Sequence, residues 1–193
     1  MNFRIVISRW AGPLSVTAML LGASIVRAAD QPAPVPAPAA APNPLDVVPD
    51  KMPFNMPYGA PIALQRAQVA VQAAVAEASK HGWQINIAVV DSGANLVTFV
   101  RMDGAQLASI ALSEHKARAA VKFRRPTRVF EDGVQKSDLK YVLTLDDIIA
   151  SRGGIPLVEG GRIIGAIGCS GGTGSQDEAV CSVAAATIGS IGK

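Results

Sequence analysis

Histidine and cysteine each occur only twice in 193 residues, aromatic side chains make up 5% and charged ones 17%. Each scarcity closes off some chemistry. Two His and two Cys, with no C-x-x-C, no H-E-x-x-H and no acidic cluster at ligand spacing, give no ligand set for a structural zinc site. So few rings offer no stacking platform for nucleic acid. The glycines between 168 and 174 lack the following Lys-Ser/Thr pair of a phosphate cradle, and Asp177 and Glu178 behind them would repel an anion. Residues 168–172 satisfy G-x-S-x-G, but no histidine follows Ser170, so the hydrolase order of nucleophile, acid and base is missing. The bland reading of these glycines is a tight, capped turn.

What is present is concentrated in residues 152–180, RGGIPLVEGGRIIGAIGCSGGTGSQDEAV. Short β-branched runs at 155–159 and 162–169 flank Gly160-Gly161, a two-residue turn of the kind that needs φ > 0, so the pattern predicts an antiparallel hairpin. Gly165 and Gly168 inside the second strand signal close approach of another backbone or a ligand. Ser175 and Glu178 have capping-box spacing and open a final helix over 178–188.

This stretch, with the upstream HKARAAVKFRRPTRVFED, resembles the GlcG/HbpS family, which includes the C-terminal domain of PduO-type proteins. The likeness runs from about Pro61 to Ile188. It implies a profilin-like fold with a central antiparallel sheet, assembly into homo-oligomers and, in several members, binding or degradation of haem.

At the other end, residues 1–28 have the form of an export signal. Arg4 and Arg9 precede an apolar stretch from 10 to 26, and Val26-Arg27-Ala28 offers a cleavage site. The alternative, a membrane anchor, is poorly served by a run of about 17 residues broken by Gly12, Pro13 and Ser15. Removal takes Arg4, Arg9 and Arg27 and no acid, leaving 15 basic and 15 acidic side chains. The mature chain is therefore neutral, and its whole-chain pI is no argument for nucleic acid as a partner. No stable membrane insertion is expected after cleavage, and the location is periplasmic or secreted. Residues 29–57, with PAPVPAPAAAPNP, form a Pro/Ala-rich spacer that cannot bury a core. The folded domain is expected over 58–193.

Within it, 62–80 carries Leu64, Ala67, Val71, Ala74 and Ala78 on one helical stripe, ended by His81-Gly82 as a cap. Residues 84–90 alternate like a half-buried strand, Asp91 to Asn95 is turn chemistry, and 96–101 continues as its partner. A second long helix covers 105–123 with a Glu114–Arg118 ion pair. Pro126 stops it, Thr127 is the N-cap of a short helix, and 141–145 reads as a third strand. The expected class is α+β, a central antiparallel sheet of about five strands with helices packed on it.

His115 stands in a row of small residues between Ala111 and Ala119, where either a flat ligand or a neighbouring helix can approach. Lys116, Arg118, Lys122, Arg124, Arg125 and Arg128 follow without an acid between His115 and Phe130. They form either a local positive field suited to carboxylates or a solvated helix end. Haem needs an apolar slot, cations for its propionates and one axial ligand. The ligand candidates are His115, Met102, Tyr141 and Cys169, with His115 as the expected metal ligand. Arg124, Arg125 and Arg128 are the candidates for the propionates. Relatives often read KARTA where this chain has Lys116-Ala117-Arg118-Ala119-Ala120, so a hydroxyl is absent at Ala119. Cys181 reads as a small core residue and Cys169 is left open; two cysteines permit one disulfide in an exported protein.

Three functions follow: an exported haem-binding protein acting in haem sensing, storage or degradation, a non-catalytic assembly partner, and an enzyme acting on a small carboxylate. The ligand is haem or another small anion, the chain is expected to be a homo-oligomer, and no nucleophile–base pair supports catalysis. N-terminal sequencing of exported material is expected to start near Ala29; intact Met1 in the membrane fraction would refute the export signal.

Overall fold

Gly168 lies where a helix crosses the longest strand at backbone contact, and the layers of the fold follow from that crossing. The computed structural model describes residues 46–189; the expected export signal and most of the expected spacer lie outside the described residues. In chain order the elements are α1 (Leu64–Lys80), β1 (Asn86–Asp91), β2 (Leu96–Arg101), α2 (Ala108–Lys122), α3 (Arg128–Lys136), a 3-10 helix (Lys140–Thr144), β3 (Gly154–Glu159), β4 (Arg162–Ser170) and α4 (Gly174–Gly189). The class is α+β. Four strands form one antiparallel sheet in the order β2-β1-β4-β3. Among the described residues no helix is long and apolar enough to cross a membrane.

The expected fifth strand at 141–145 is instead the 3-10 helix. Tyr141, Leu143 and Leu145 are exposed and only Val142 is buried, so no sheet edge receives the run. Asp138 and Asp147, with φ of 52° and 63°, turn the chain away from extended geometry on either side.

α1 and α4 cover one face of the sheet, where Ala67, Val71 and Ala74 meet Ile85, Ile87, Val89, Ile167, Val180 and Ile188. α2 covers the other, where Ala117, Ala120 and Val121 meet Ala88, Val90, Ile163 and Ala166. β1 is therefore buried on both faces rather than half-buried. Its polar Asn86 is fully enclosed and donates Nδ2 to the Gln106 carbonyl at 3.1 Å. The hairpin turn is as expected, with Gly160 and Gly161 at φ of 54° and 73°. A Cβ at Gly168 would collide with the Ser113 carbonyl oxygen, and one at Gly154 with that of Lys116, so only glycine lets α2 sit this close.

Lys116, which belongs to the basic run, is not on the surface. It points inward, and its Nζ is 2.7 Å from Asp177 Oδ2 of α4 and 3.2 Å from the Cys169 carbonyl, with both side chains at most 3% exposed. Asp177 Oδ1 also accepts from the Gly172 N–H. Cys181 is indeed in the core, and it is bonded to Cys169, joining the end of β4 to α4.

The capping box lies two residues earlier than the Ser175–Glu178 spacing predicts. Thr173 Oγ1 accepts from the Gln176 N–H while Gln176 Oε1 accepts from the Thr173 N–H. The helix starting at Gly174 leaves Asp177 for Lys116 and Glu178 for Arg128 and Arg152. Thr127 precedes α3 as expected, yet its hydroxyl accepts from the Gly154 N–H, tying α3 to β3 instead of capping it.

Asp177→Ala would strand the Lys116 ammonium in the interior and is expected to cost about 3–5 kcal/mol, whereas Lys116→Met with Asp177→Leu should recover most of that loss. Urea unfolding of the oxidised protein measures both; a loss no larger than that of an exposed pair, about 1 kcal/mol or less, would show that the pair is dispensable.

Candidate functional site

α2 is helical because residues 108–122 are mostly alanine and long straight side chains, with neither proline nor glycine. Its inward stripe, Ser109, Ser113, Lys116, Ala117 and Ala120, is buried. That fixes what the opposite stripe presents: Leu107 and Leu112 exposed, Ala111 exposed, then His115, Arg118 and Lys122. His115 is partly exposed and makes no hydrogen bond or ion pair within the described residues, so an imidazole nitrogen is available to an outside ligand. Ala111, one turn before it, leaves flat space. Arg118 pairs with Glu114 at 2.9 Å, the i,i+4 bridge expected from the spacing.

Lys122 lies two turns beyond His115 and binds Asp147 Oδ2 at 2.6 Å. The Lys122 hydrogen bond holds the Asp147 carboxyl below the usual carboxylate range against the opposing effect of desolvation, with smaller contributions from the Lys122 charge and from the neighbouring His115 and Arg118. Lys122 thus fixes this carboxylate on the helix face that also carries His115 and Arg118.

The arginines after the helix go elsewhere. The bend after Phe123 exists: Arg124 has φ of 55°, and its guanidinium lies 5.9 Å from the Tyr58 ring centre. Arg125 stacks 3.6 Å over Phe54, 5.7 Å from the Phe130 ring, and donates Nε to the Phe123 carbonyl. Burial lowers its pKa. Arg128 faces Asp132 at 3.4 Å and Glu178 at 3.3 Å. Tyr58 also donates its hydroxyl to the carbonyls of Val121 and Lys122, so it caps the C-terminus of α2.

The other ligand candidates separate clearly. Cys169 is bonded to Cys181 and buried, so it has no thiolate to offer. Met102 packs against the α1/α4 core, away from α2. Tyr141 is exposed on the 3-10 helix. His81 is the C-cap of α1, stacked on Trp83 at 4.4 Å and 3.2 Å from Glu77 Oε1, as its position at a helix end predicted. Ser170 is buried in the sheet opposite Asn86. A cleft of about 310 Å³ lies at Gly59, Pro61, Arg66, Glu159 and Arg162, but shares no residue with the His115 face, and Glu159 already pairs with Arg66. Among the described residues no group of three His, Cys, Asp or Glu could hold a metal ion by itself.

Asp147 and the inward Lys116 were the features that sequence reasoning missed. Lys116 had a signal: it falls on the same helical stripe as Ser109, Ser113, Ala117 and Ala120, all small and all buried. Asp147 had none, because its partner lies 25 residues away in the chain.

A family model described as "Haem degrading protein HbpS-like" matches residues 62–186, and the chain belongs to the HbpS-like family. It is 38% identical to Protein GlcG of Escherichia coli K12 over 106 residues, 55% of this chain and 78% of that protein. Among solved structures, protein ORFY of Klebsiella pneumoniae superposes with a TM-score of 0.64 at 28% identity, covering 74% of this chain and 97% of that one. The PduOC:heme complex superposes with a TM-score of 0.60 at 27% identity, covering 66% and 95%.

Proposed function

We propose that this chain is an exported haem-binding protein with His115 as the axial ligand. The observation that carries the reading is a partly exposed imidazole, free of hydrogen bonds, on a helix face of alanine and exposed leucine that runs on into Arg118 and Lys122. These residues fit the group. His115 supplies a nitrogen lone pair, Ala111 and Leu112 an apolar floor, and Arg118 and Lys122 charges for carboxylates. When bound, haem would supply an iron centre for storage, sensing or oxidative chemistry; the chain's own residues bind and orient it. Family membership and the haem complex of PduOC support the ligand class.

Arg124, Arg125 and Arg128 take part, in this reading, only across a subunit contact, because within the chain their guanidinium groups are held by Tyr58, Phe54, Asp132 and Glu178. Two observations support assembly and export. β2 is an edge strand with Leu96 exposed, the kind of edge that a second copy covers. The core disulfide suits an oxidising compartment, consistent with the signal at residues 1–28.

Haem titration tests the assignment. The protein is expected to develop a Soret band that His115→Ala abolishes or shifts and His81→Ala leaves unchanged. An unchanged band in His115→Ala would reject the ligand, and no uptake by the unsubstituted protein would favour the assembly-partner function. Light scattering on a chain beginning at Pro49 is expected to give a dimer or larger; a monomer at micromolar concentration would refute self-assembly.

A further inference from the structure

The segment after α3 carries three features that belong together. It is bounded by two non-glycine residues at positive φ, Asp138 and Asp147, a conformation that L side chains seldom adopt. Between them a five-residue 3-10 helix leaves Tyr141, Leu143 and Leu145 exposed. At its far end one contact returns to α2, the Asp147 carboxylate on Lys122 at 2.6 Å. Both partners of that contact are more than 40% exposed, so solvent screens it and it is easily exchanged.

The position of Lys122 gives this contact a meaning. It lies seven residues after His115, about 10.5 Å along the helix and within about 20° of the same face. A flat ligand held by His115 on that face, with carboxylates at its rim, would reach the ammonium group that Asp147 now holds. Arg118, three residues after His115, lies between them and already has Glu114 as its own partner.

We propose that Asp147 is a built-in competitor: its carboxylate occupies on Lys122 the place that a carboxylate of a His115-bound porphyrin takes, so that binding exchanges one carboxylate for the other and releases the segment ending at Asp147. The proposal rests on the haem reading above and adds to it a regulated entry step. Loading the site breaks the Lys122–Asp147 pair and loosens the far end of residues 138–147, beyond the buried Val142, so that the exposed Leu143 and Leu145 can rearrange around the ligand or toward a neighbouring molecule. The low pKa of Asp147 agrees, since it keeps the competitor ionised.

Asp147→Asn removes the competing charge, keeps the shape and tolerates positive φ well. It is expected to bind haem about two- to fivefold tighter, the range that an exposed ion pair supports. Lys122→Gln should weaken binding and abolish the gain of Asp147→Asn in the double variant. Haem dimethyl ester, which has no free carboxylate, should gain nothing from Asp147→Asn. As a structural readout, tryptic cleavage after Lys140 should accelerate when haem is added to the unsubstituted protein. Equal or weaker haem binding by Asp147→Asn, or the same gain with the dimethyl ester, would overturn the exchange while leaving a His115-dependent Soret band intact. Absence of any Soret band in the unsubstituted protein would overturn the haem reading and this inference together.

Discussion

The pair of Lys116 and Asp177 is the constraint on which the rest of this structure depends. An ammonium group with 2% of its side chain exposed is tolerated only if partners replace its water, and here they come from both sides of the sheet. Lys116 rises from α2 on one face and Asp177 from α4 on the other, and they meet past the start of β3, where Gly153 has no side chain. A Cβ there would lie 2.9 Å from the Asp177 Cβ and 3.2 Å from Lys116 Nζ. Neither helix can slide along its face without breaking the pair. Cys169 adds a second tie at the same place, through its carbonyl to Lys116 and its sulfur to Cys181.

Close packing then decides which side of α2 faces outward. Ser109, Ser113, Ala117 and Ala120 are small enough for the helix backbone to rest on Gly168 and Gly154, and the rotation that seats them turns His115 away from the sheet. A larger residue on the inward stripe would force the helix off the glycines, since buried overpacking costs about 1–3 kcal/mol and displaces backbone. The exposure of His115 is thus a consequence of the glycines in β3 and β4, elements far from it in sequence.

That dependence explains what was legible in the sequence and what was not. The hairpin turn at Gly160-Gly161, the alanine stripe of α1 and the cap at His81 are local, and each was readable from residues within a few positions. The family likeness, borne by the stretch from the hairpin through 180, gave the fold class. The strand expected at 141–145 failed because alternation needs a partner, and exposed Tyr141, Leu143 and Leu145 have none. The capping box slipped from Ser175 to Thr173 because two capping signals overlap there, and Glu178 pairs instead with Arg128, 50 residues away, and with Arg152. The bond between Cys169 and Cys181 was allowed by composition, but it required α4 to be laid against the end of β4, a tertiary fact. As for the candidate site, His115 and its small neighbours were visible on a helical wheel, while the destinations of Arg124, Arg125 and Arg128 were not.

Those destinations show how one run of basic residues is divided among different physical tasks. Lys116 faces inward and joins two layers. Arg118 and Lys122, one and two turns beyond His115, stay with it on the outer face. Past Phe123 the helix ends and Arg124 takes a positive φ, so the next two guanidinium groups leave that face altogether and receive Tyr58 and Phe54 from the stretch before α1. Tyr58 in turn satisfies the last carbonyls of α2 through its hydroxyl, and the Pro57 carbonyl and Gly59 N–H bond to Ile163 of β4. The stretch from Phe54 to Gly59 is therefore fastened both to β4 and to the same helix that carries the candidate ligand.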